Sequence, residues 1–366
     1  MLTAEGCKQR RERLWRKVGS QVQGDYLLFA DPIHLVYLAN FCVDPFSLGG
    51  GFRGYLHLRR DGRATLIYDS RLPHSVDQAH ADERVVVQWY DGDSPDHRPR
   101  QMALVDAARS LVGSAPVRFH DQPGEAGSME LVSALAELRR RKDPDEVALL
   151  RRCMIATDAG HAWARTNIRP GMTELDVYRG VSSTSTGAAG KAVIVYGDFA
   201  VSPGPERRGG PPTARVLKPG DLFILDYSVV IRGYRSDFTN TLCVGKAPTA
   251  DQKRLCDASL AAMAAGEKEL RAGAKCLSVY NAVRSGFEKW GLADYFPHHA
   301  GHGLGLMHPE APFIVRHADE TLVAGDIVTL EPGAYVEGVG GLRIENNYLI
   351  TETGYEKLSN HTIALR

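Results

Sequence analysis

Two short frames recur in this chain and constrain its fold more than any other feature. Pro219-Gly220-Asp221-Leu222-Phe223-Ile224-Leu225-Asp226 is matched by Ala324-Gly325-Asp326-Ile327-Val328-Thr329-Leu330-Glu331. Each reads as a Gly-Asp turn, an apolar strand, and a carboxylate five residues after the turn aspartate. Gly233-Tyr234-Arg235-Ser236-Asp237 and Gly341-Leu342-Arg343-Ile344-Glu345 then share a glycine, an arginine two later and an acid four later. Upstream, Arg169, Gly171, Leu175, Val177 and Tyr178 return 102 positions on as Arg271, Gly273, Leu277, Val279 and Tyr280. An echo that keeps its order through helix entry, strand and second strand is an internal duplication.

The duplication predicts two related halves, each offering two carboxylates to a shared centre. Asp226 ends a strand, and a short hairpin would set Asp237 beside it; Glu331 and Glu345 repeat the arrangement. One such acid alone reads as a cap or a solvated turn residue, but four in duplicate frames do not. Carboxylates at the ends of apolar strands are costly to bury without partners, and four in one cluster cannot all stay ionised without cations between them. Two divalent ions would balance the charge. His302, in His298-His299-Ala300-Gly301-His302-Gly303-Leu304-Gly305-Leu306, is the fifth candidate ligand, because its small neighbours admit close approach. One nitrogen among many oxygens is a hard donor set that favours Mn²⁺, with Fe²⁺, Co²⁺ and Zn²⁺ as alternatives. Two such ions polarise a carbonyl and stabilise an oxyanion, which is metal-assisted hydrolysis.

A chain of 366 residues exceeds the usual single core, so two domains are expected. Lysine plus arginine and aspartate plus glutamate each total 44, which leaves no electrostatic footprint for nucleic acid or an anionic membrane. Met1 to Val18 is charged and lacks the apolar stretch of a secretory signal. No apolar run is long enough to span a bilayer, so the expected location is cytoplasmic. The six cysteines are scattered without a Cys-x-x-Cys pair and read as buried thiols.

Residues 1–140 read as a mixed α/β unit. Strands are expected at Tyr26–Phe29, Leu35–Leu38, Tyr55–Leu58, Thr65–Tyr68 and Val85–Trp89, and helices at Lys8–Val18, Arg100–Leu111 and Glu130–Arg140. Asp61-Gly62 marks a hairpin, and Gly49-Gly50-Gly51 a loop without the context of a phosphate site. The second domain, 143–366, opens on Asp143-Pro144-Asp145-Glu146, suited to N-cap, N1 and N3 of a long helix. Thr173 caps the next helix. Thr249 with Gln252 caps one that ends near Gly273, and Ser278 caps one closed by Gly291. Strands are expected at Leu222–Tyr227, Val229–Ile231, Asp237–Val244, Ile327–Leu330 and Arg343–Ile350. Gly197–Pro212 is rich in glycine and proline and reads as an irregular functional loop.

At these residues the chain resembles the pita-bread, M24-type metallopeptidases. That group holds methionine aminopeptidase, Xaa-Pro aminopeptidase and prolidase, with creatinase as a relative. The resemblance covers nearly the whole chain. Tyr37-Leu38-Ala39-Asn40-Phe41 and the Leu66–Ser70 strand end are similar to the creatinase-type N-terminal domain. Lys142–Arg152 and Arg169-Pro170-Gly171-Met172-Thr173-Glu174 are similar to the entry into the catalytic domain. The implied fold is α/β (α+β), a creatinase-like N-terminal domain followed by a pseudo-twofold pita-bread domain. By the family's roles, Asp226 holds one ion, Asp237 and Glu345 bridge, and His302 and Glu331 complete the other. Glu331 is then also the proton carrier. His298 matches an imidazole that contacts the substrate. Arg343 matches an arginine that sits near the substrate carboxylate or braces the ligands.

Two departures lie on the substrate side. The family carries a substrate-binding histidine in the loop before Lys218-Pro219-Gly220-Asp221. Here that loop has none, and Arg207 and Arg208 are the possible replacements. The family also has a histidine followed directly by an acid after Gly-His-Gly-Leu-Gly-Leu, whereas this chain has His308-Pro309-Glu310, with the imidazole one position early. The resemblance implies a dinuclear exopeptidase acting on Xaa-Pro bonds of small peptides, a prolidase first and an Xaa-Pro aminopeptidase second, commonly dimeric. A creatinase-like hydrolase of a non-peptide substrate and a non-catalytic binding protein are the rival expectations.

Overall fold

The computed structural model describes residues 1–366 except 23, 47–53, 73–75, 91 and 94–97, so the glycine run at 49–51 lies outside the described residues. The chain divides into two compact units, Met1–Arg139 and Arg140–Arg366.

The first unit is built on a four-stranded sheet in the order β1 (Tyr26–Phe29), β2 (Tyr55–Arg59), β3 (Ala64–Asp69) and β4 (Glu83–Val87). β1, β2 and β3 run antiparallel, and β4 is parallel to β3. Helices Ala4–Val18, Pro32–Ala39, Arg100–Val112 and Ser128–Arg140 accompany it. The hairpin at Asp61-Gly62 forms between β2 and β3, with Leu58 opposite Ala64. Leu35–Leu38 is not a strand; it lies inside helix Pro32–Ala39. A short apolar run does not distinguish a strand from a buried helix. Here the capping chemistry decides, since Asp31 accepts a hydrogen bond from Ile33 N at 2.9 Å and Pro32 occupies the first turn.

The second unit repeats itself. Helices Pro144–Asn167 and Glu174–Ala189 precede β5 (Ile194–Val201), β6 (Leu222–Ile231), β7 (Tyr234–Arg235) and β8 (Phe238–Cys243). Helices Ala250–Glu267 and Cys276–Glu288 precede β9 (Gly301–Gly303), β10 (Glu310–Ile314), β11 (Ile327–Leu330), β12 (Gly333–Val336), β13 (Gly340–Arg343), β14 (Asn346–Ile350) and β15 (Tyr355–Lys357). β6 pairs with β5, β7 and β8; the second large sheet runs β10-β9-β11-β14-β15, and β12 and β13 form a hairpin.

The backbone bonds repeat with the sequence. Gly171 N donates to Leu217 O at 3.0 Å and Gly273 N to Leu322 O at 2.9 Å. Gly220 N donates to Val244 O at 2.7 Å and Gly325 N to Ile350 O at 2.9 Å, and Val244 N and Ile350 N return bonds to Asp221 O and Asp326 O. Each turn aspartate also accepts from the backbone three residues before it, Lys218 N at 2.9 Å and Val323 N at 2.8 Å. The Gly-Asp frames are therefore equivalent turns that launch equivalent strands, β6 and β11.

Several boundaries differ from the sequence reading. Asp143 and Thr173 cap their helices as expected, and Thr249 with Gln252 forms its capping box, but that helix stops at Glu267. Ser278 lies within helix Cys276–Glu288, whose N-cap is Lys275. β6 is one strand through Ile231, so Asp226 lies inside it and not at its end, and Ile344-Glu345 interrupt the expected strand Arg343–Ile350. Gly197 to Val201 belong to β5, so only the remainder of the glycine- and proline-rich segment is irregular. Pairing along a full-length neighbour, β6, holds those residues extended despite Gly197.

Candidate metal centre

β6 sets Asp226 opposite Thr239 on β8 and opposite Asp198 on β5. The β6–β8 pairing ends at Tyr227 and Phe238, which leaves Asp237 at the mouth of the hairpin. In the second half the last β11–β14 pair is Leu330 with Asn346, so Glu331 and Glu345 face one another just beyond it. The halves are stitched at these acids. Thr239 Oγ1 donates to Glu345 Oε2 at 2.7 Å, Glu345 N donates to Thr239 O at 3.0 Å, and Asp237 N donates to Asn347 Oδ1 at 3.2 Å.

His302 comes from β9, between β10 and β11. Its flanking glycines are required by packing: a Cβ at Gly301 would stand 2.0 Å from Thr329 O, and one at Gly303 would stand 2.1 Å from Ala311 O. Nδ1 lies 3.0 Å from Gly303 O, which selects the Nδ1–H tautomer and leaves the Nε2 lone pair facing Asp237 Oδ2 and Glu331 Oε1, both at 3.5 Å.

All eight candidate site residues, Asp226, Asp237, His298, His302, His308, Glu331, Arg343 and Glu345, line one cavity of about 600 Å³. Ligand atoms of Asp226, Asp237 and Glu345 lie within 4.8 Å of one another, as do those of His299, His302 and Glu331, and those of Asp237, His302 and His308. Asp237 and His302 thus join overlapping groups. His308, although one position early in the sequence, brings Nε2 to 2.7 Å from Asp237 Oδ2.

Crowding leaves its mark on the acids. Burial and then the charges of Asp237, Asp226 and Glu331 push Glu345 well above the usual carboxylate range. Burial also raises Asp226, to about 7, against the pull of Arg343. Glu331 goes the other way: burial would raise it, but the His299 bond and the surrounding imidazoles hold it low. His298 is pushed down to about 4 by burial. His299 and His308 are depressed by burial too, yet their bonds to Glu331 and Asp237 outweigh it and raise them.

Arg343 is committed within the protein. Its Nη2 donates to Asp226 Oδ2 and, at 2.6 Å, to Asp198 Oδ2; its Nη1 donates to Tyr335 Oη and Arg208 O, each at 3.1 Å. Of the two roles weighed for it, this geometry is that of a brace. Arg207 is likewise withdrawn from the loop's solvent face, pairing both terminal nitrogens with buried Glu174 at 2.8 and 2.9 Å. Arg208 lines the cavity.

Sequence reasoning passed over Asp198, His299, Tyr196 and Tyr335. Asp198 belongs to neither duplicated frame, and only the β5–β6 register places it across from Asp226. His299 bonds Glu331 Oε1 at 2.8 Å, although its neighbour His298 holds the family's position. The tyrosines carry no local signal; they matter through their hydroxyls, which reach His308 and His298.

The profile of metallopeptidase family M24 matches residues 148–352. An uncharacterized peptidase of Staphylococcus aureus (strain USA300) is 29% identical over 232 residues, 62% of this chain, and the alignment spans 64% of that relative's length. Among solved structures, an Xaa-Pro dipeptidase from Bacillus anthracis superposes with a TM-score of 0.78 at 25% identity, covering 98% of this chain and 99% of that one. The dipeptidase PepE from Mycobacterium ulcerans superposes with a TM-score of 0.75 at 26% identity, covering 100% and 98%. The likeness in fold thus extends through both units of the chain, while the matched profile takes in more than half of it and all five candidate ligand positions: the chain belongs to metallopeptidase family M24.

Proposed function

We propose that this protein is a dinuclear metal-dependent exopeptidase that hydrolyses Xaa-Pro bonds, with dipeptides as its substrates. The observation that carries this reading is the convergence of Asp226, Asp237, His302, Glu331 and Glu345 on one cavity from two duplicated halves. The donor chemistry fits divalent cations. Acids whose protons are held first by burial and then by their neighbours' charges are those that bound cations would ionise. The single guanidinium on Asp226 is too little for the whole cluster.

Asp226, Asp237 and Glu345 would hold one ion, and His302 and Glu331 the other, with Asp237 and Glu345 shared. When bound, two divalent ions supply Lewis acidity and lower the pKa of water. The chain's own residues do the rest. Glu331 is placed to carry the proton from the attacking water to the leaving nitrogen. His298 donates through Nδ1 to His299 O at 2.8 Å and accepts from Tyr335 Oη at 3.3 Å, which fixes a neutral imidazole at the cavity wall. His308 stands against Asp237, with Nε2 at 2.7 Å from Oδ2. Arg208, Gly209 and Gly210 of the glycine- and proline-rich loop line the cavity, and we take this loop to limit the length of the peptide.

By the same family likeness we infer Mn²⁺ as the native metal, a homodimer, a creatinase-type first unit and a cytoplasmic site of action. Among the described residues no helix is long and apolar enough to cross a membrane.

The test is metal content together with hydrolysis of Ala-Pro and Ala-Pro-Ala by the Mn²⁺-loaded protein. Two bound ions with Ala-Pro preferred support the dipeptidase reading. Equal or better cleavage of Ala-Pro-Ala would make it an aminopeptidase. Two ions with no peptide cleaved would favour a creatinase-like hydrolase, and no bound metal a binding protein.

A further inference from the structure

A dipeptide brings a free carboxylate to a cavity floor that already holds five acids, Asp198, Asp226, Asp237, Glu331 and Glu345. Two divalent ions would balance those acids, but a carboxylate held in the cavity away from them still needs an uncommitted cationic donor of its own. Arg343 is spent: all four of its terminal N–H groups are donated to protein acceptors, and its remaining Nε is shut off from solvent.

Arg208 is the other guanidinium at this cavity. It is exposed, and among the described residues no carboxylate lies within ion-pair distance of it. Its backbone is nevertheless pinned from both sides. Arg207 before it is clamped on Glu174. After it, Gly210 N donates to Asp198 Oδ1 at 2.8 Å, and Gly210 O accepts from Phe199 N at 3.0 Å. The Arg208 carbonyl itself accepts from Arg343. A Cβ at Gly209 would stand 1.9 Å from Asp198 Oδ2, so a side chain there would displace the carboxylate that anchors this turn. The turn therefore has one fixed backbone and one uncommitted cation. Pro309, Phe313 and Val315 also line the cavity and supply apolar surface suited to a pyrrolidine ring.

We propose that Arg208 is the specificity-determining residue that binds the C-terminal carboxylate of the dipeptide substrate. This inference rests on the peptidase reading above. A guanidinium meets a carboxylate through two parallel N–H donors, and a turn held by its neighbours loses little freedom when it does so.

The experiment compares Ala-Pro with its C-terminal amide, Ala-Pro-NH2, on the Mn²⁺-loaded full chain and on Arg208→Ala and Arg208→Lys. The wild type should prefer the acid by about 10- to 100-fold in kcat/KM, the range of a charge-assisted hydrogen bond. Arg208→Ala should erase that preference mainly through KM, and Arg208→Lys should restore part of it. Direct binding gives an arm without turnover: by titration calorimetry proline should bind Arg208→Ala about 10-fold or more weakly than the wild type, with prolinamide shifted far less. If Arg208→Ala lowers acid and amide equally, or keeps the wild-type preference, the inference is overturned while the peptidase reading stands. If the metal-loaded wild type cleaves neither compound, the peptidase reading falls and takes this inference with it.

Discussion

The Tyr196 hydroxyl stands 3.2 Å from Nδ1 of His308 and receives a bond from Arg235 Nη1 at 3.0 Å. Because Arg235 supplies a proton to that oxygen, the hydroxyl hydrogen is available for Nδ1, and the Nε2–H of His308 is aimed at Asp237. The other half has a counterpart, in which Arg343 Nη1 donates to Tyr335 Oη and Tyr335 reaches His298 Nε2 at 3.3 Å. Arg235 and Arg343 are the paired arginines of the duplicated frames. Each braces a tyrosine that orients an imidazole at the cavity.

Tyr196→Phe should therefore lower kcat by about 10-fold with KM little changed, since one orienting hydrogen bond is lost. His308→Ala should cost more. In the double variant the tyrosine change should add almost nothing, because its effect passes through the ring it orients. A full additional loss in the His308→Ala background would show that Tyr196 acts elsewhere.

Asp237→Ala and Glu345→Ala should each abolish turnover and reduce bound metal, while far-ultraviolet circular dichroism stays close to the wild type. On the proposed assignment each removes a shared ligand, while the apolar strands and helices that form the core remain. Activity retained in either variant would contradict the ligand assignment.

His298→Ala should cost about 10²–10⁴ in rate while metal content stays at the wild-type level, as expected of a positioned polar group that is no ligand. Steady-state kinetics with metal analysis on the same sample separates this from a lost ion.

Stability without metal should fall as pH rises. Asp226 titrates at about 7 against an ordinary 3.8, so the folded protein binds this proton more tightly than the unfolded chain does. That contribution is full below the ordinary value and is lost as pH rises through about 7. Glu345 has the same sign, and Glu331 the opposite sign at lower pH. In chelator, Tm should drop between about pH 5 and 8, and added Mn²⁺ should restore it most at the upper end, where the ligands are deprotonated. A rising Tm in chelator would argue against the crowded cluster.

Glu174→Gln should destabilise the fold by about 2–3 kcal/mol, below the upper range for broken buried pairs because Arg207 is partly exposed. Glu174 also accepts bonds from Val201 N, Thr213 N and Thr213 Oγ1. The variant should raise KM as well, because the turn that carries Arg208 loses its anchor. Urea titration and kinetics on one preparation would read both effects.

The clustering of the proposed ligands was legible in the chain because its information is local. A Gly-Asp turn, a run of apolar residues and an acid at a set distance specify where a strand starts and which residue lies five positions beyond the turn aspartate, and duplication supplied the check. Helix caps at Asp143, Thr173 and Thr249 were legible for the same reason, since a cap is made with neighbours three residues away. Leu35–Leu38 was misread because an apolar run of that length suits either element.

What lay beyond the sequence was every role set by a distant partner. Local chemistry determined that four acids would recur on or beside short strands in two matching halves, with His302 held between glycines. Only the tertiary structure decided that Asp198 faces Asp226, that Arg343 is used up as a brace, that His308 reaches Asp237 from a shifted position, and that Arg208 is left uncommitted. A side chain's charge is written in the sequence, but whether that charge is already satisfied depends on which strands and loops pack against it, and those contacts span up to 145 positions of chain.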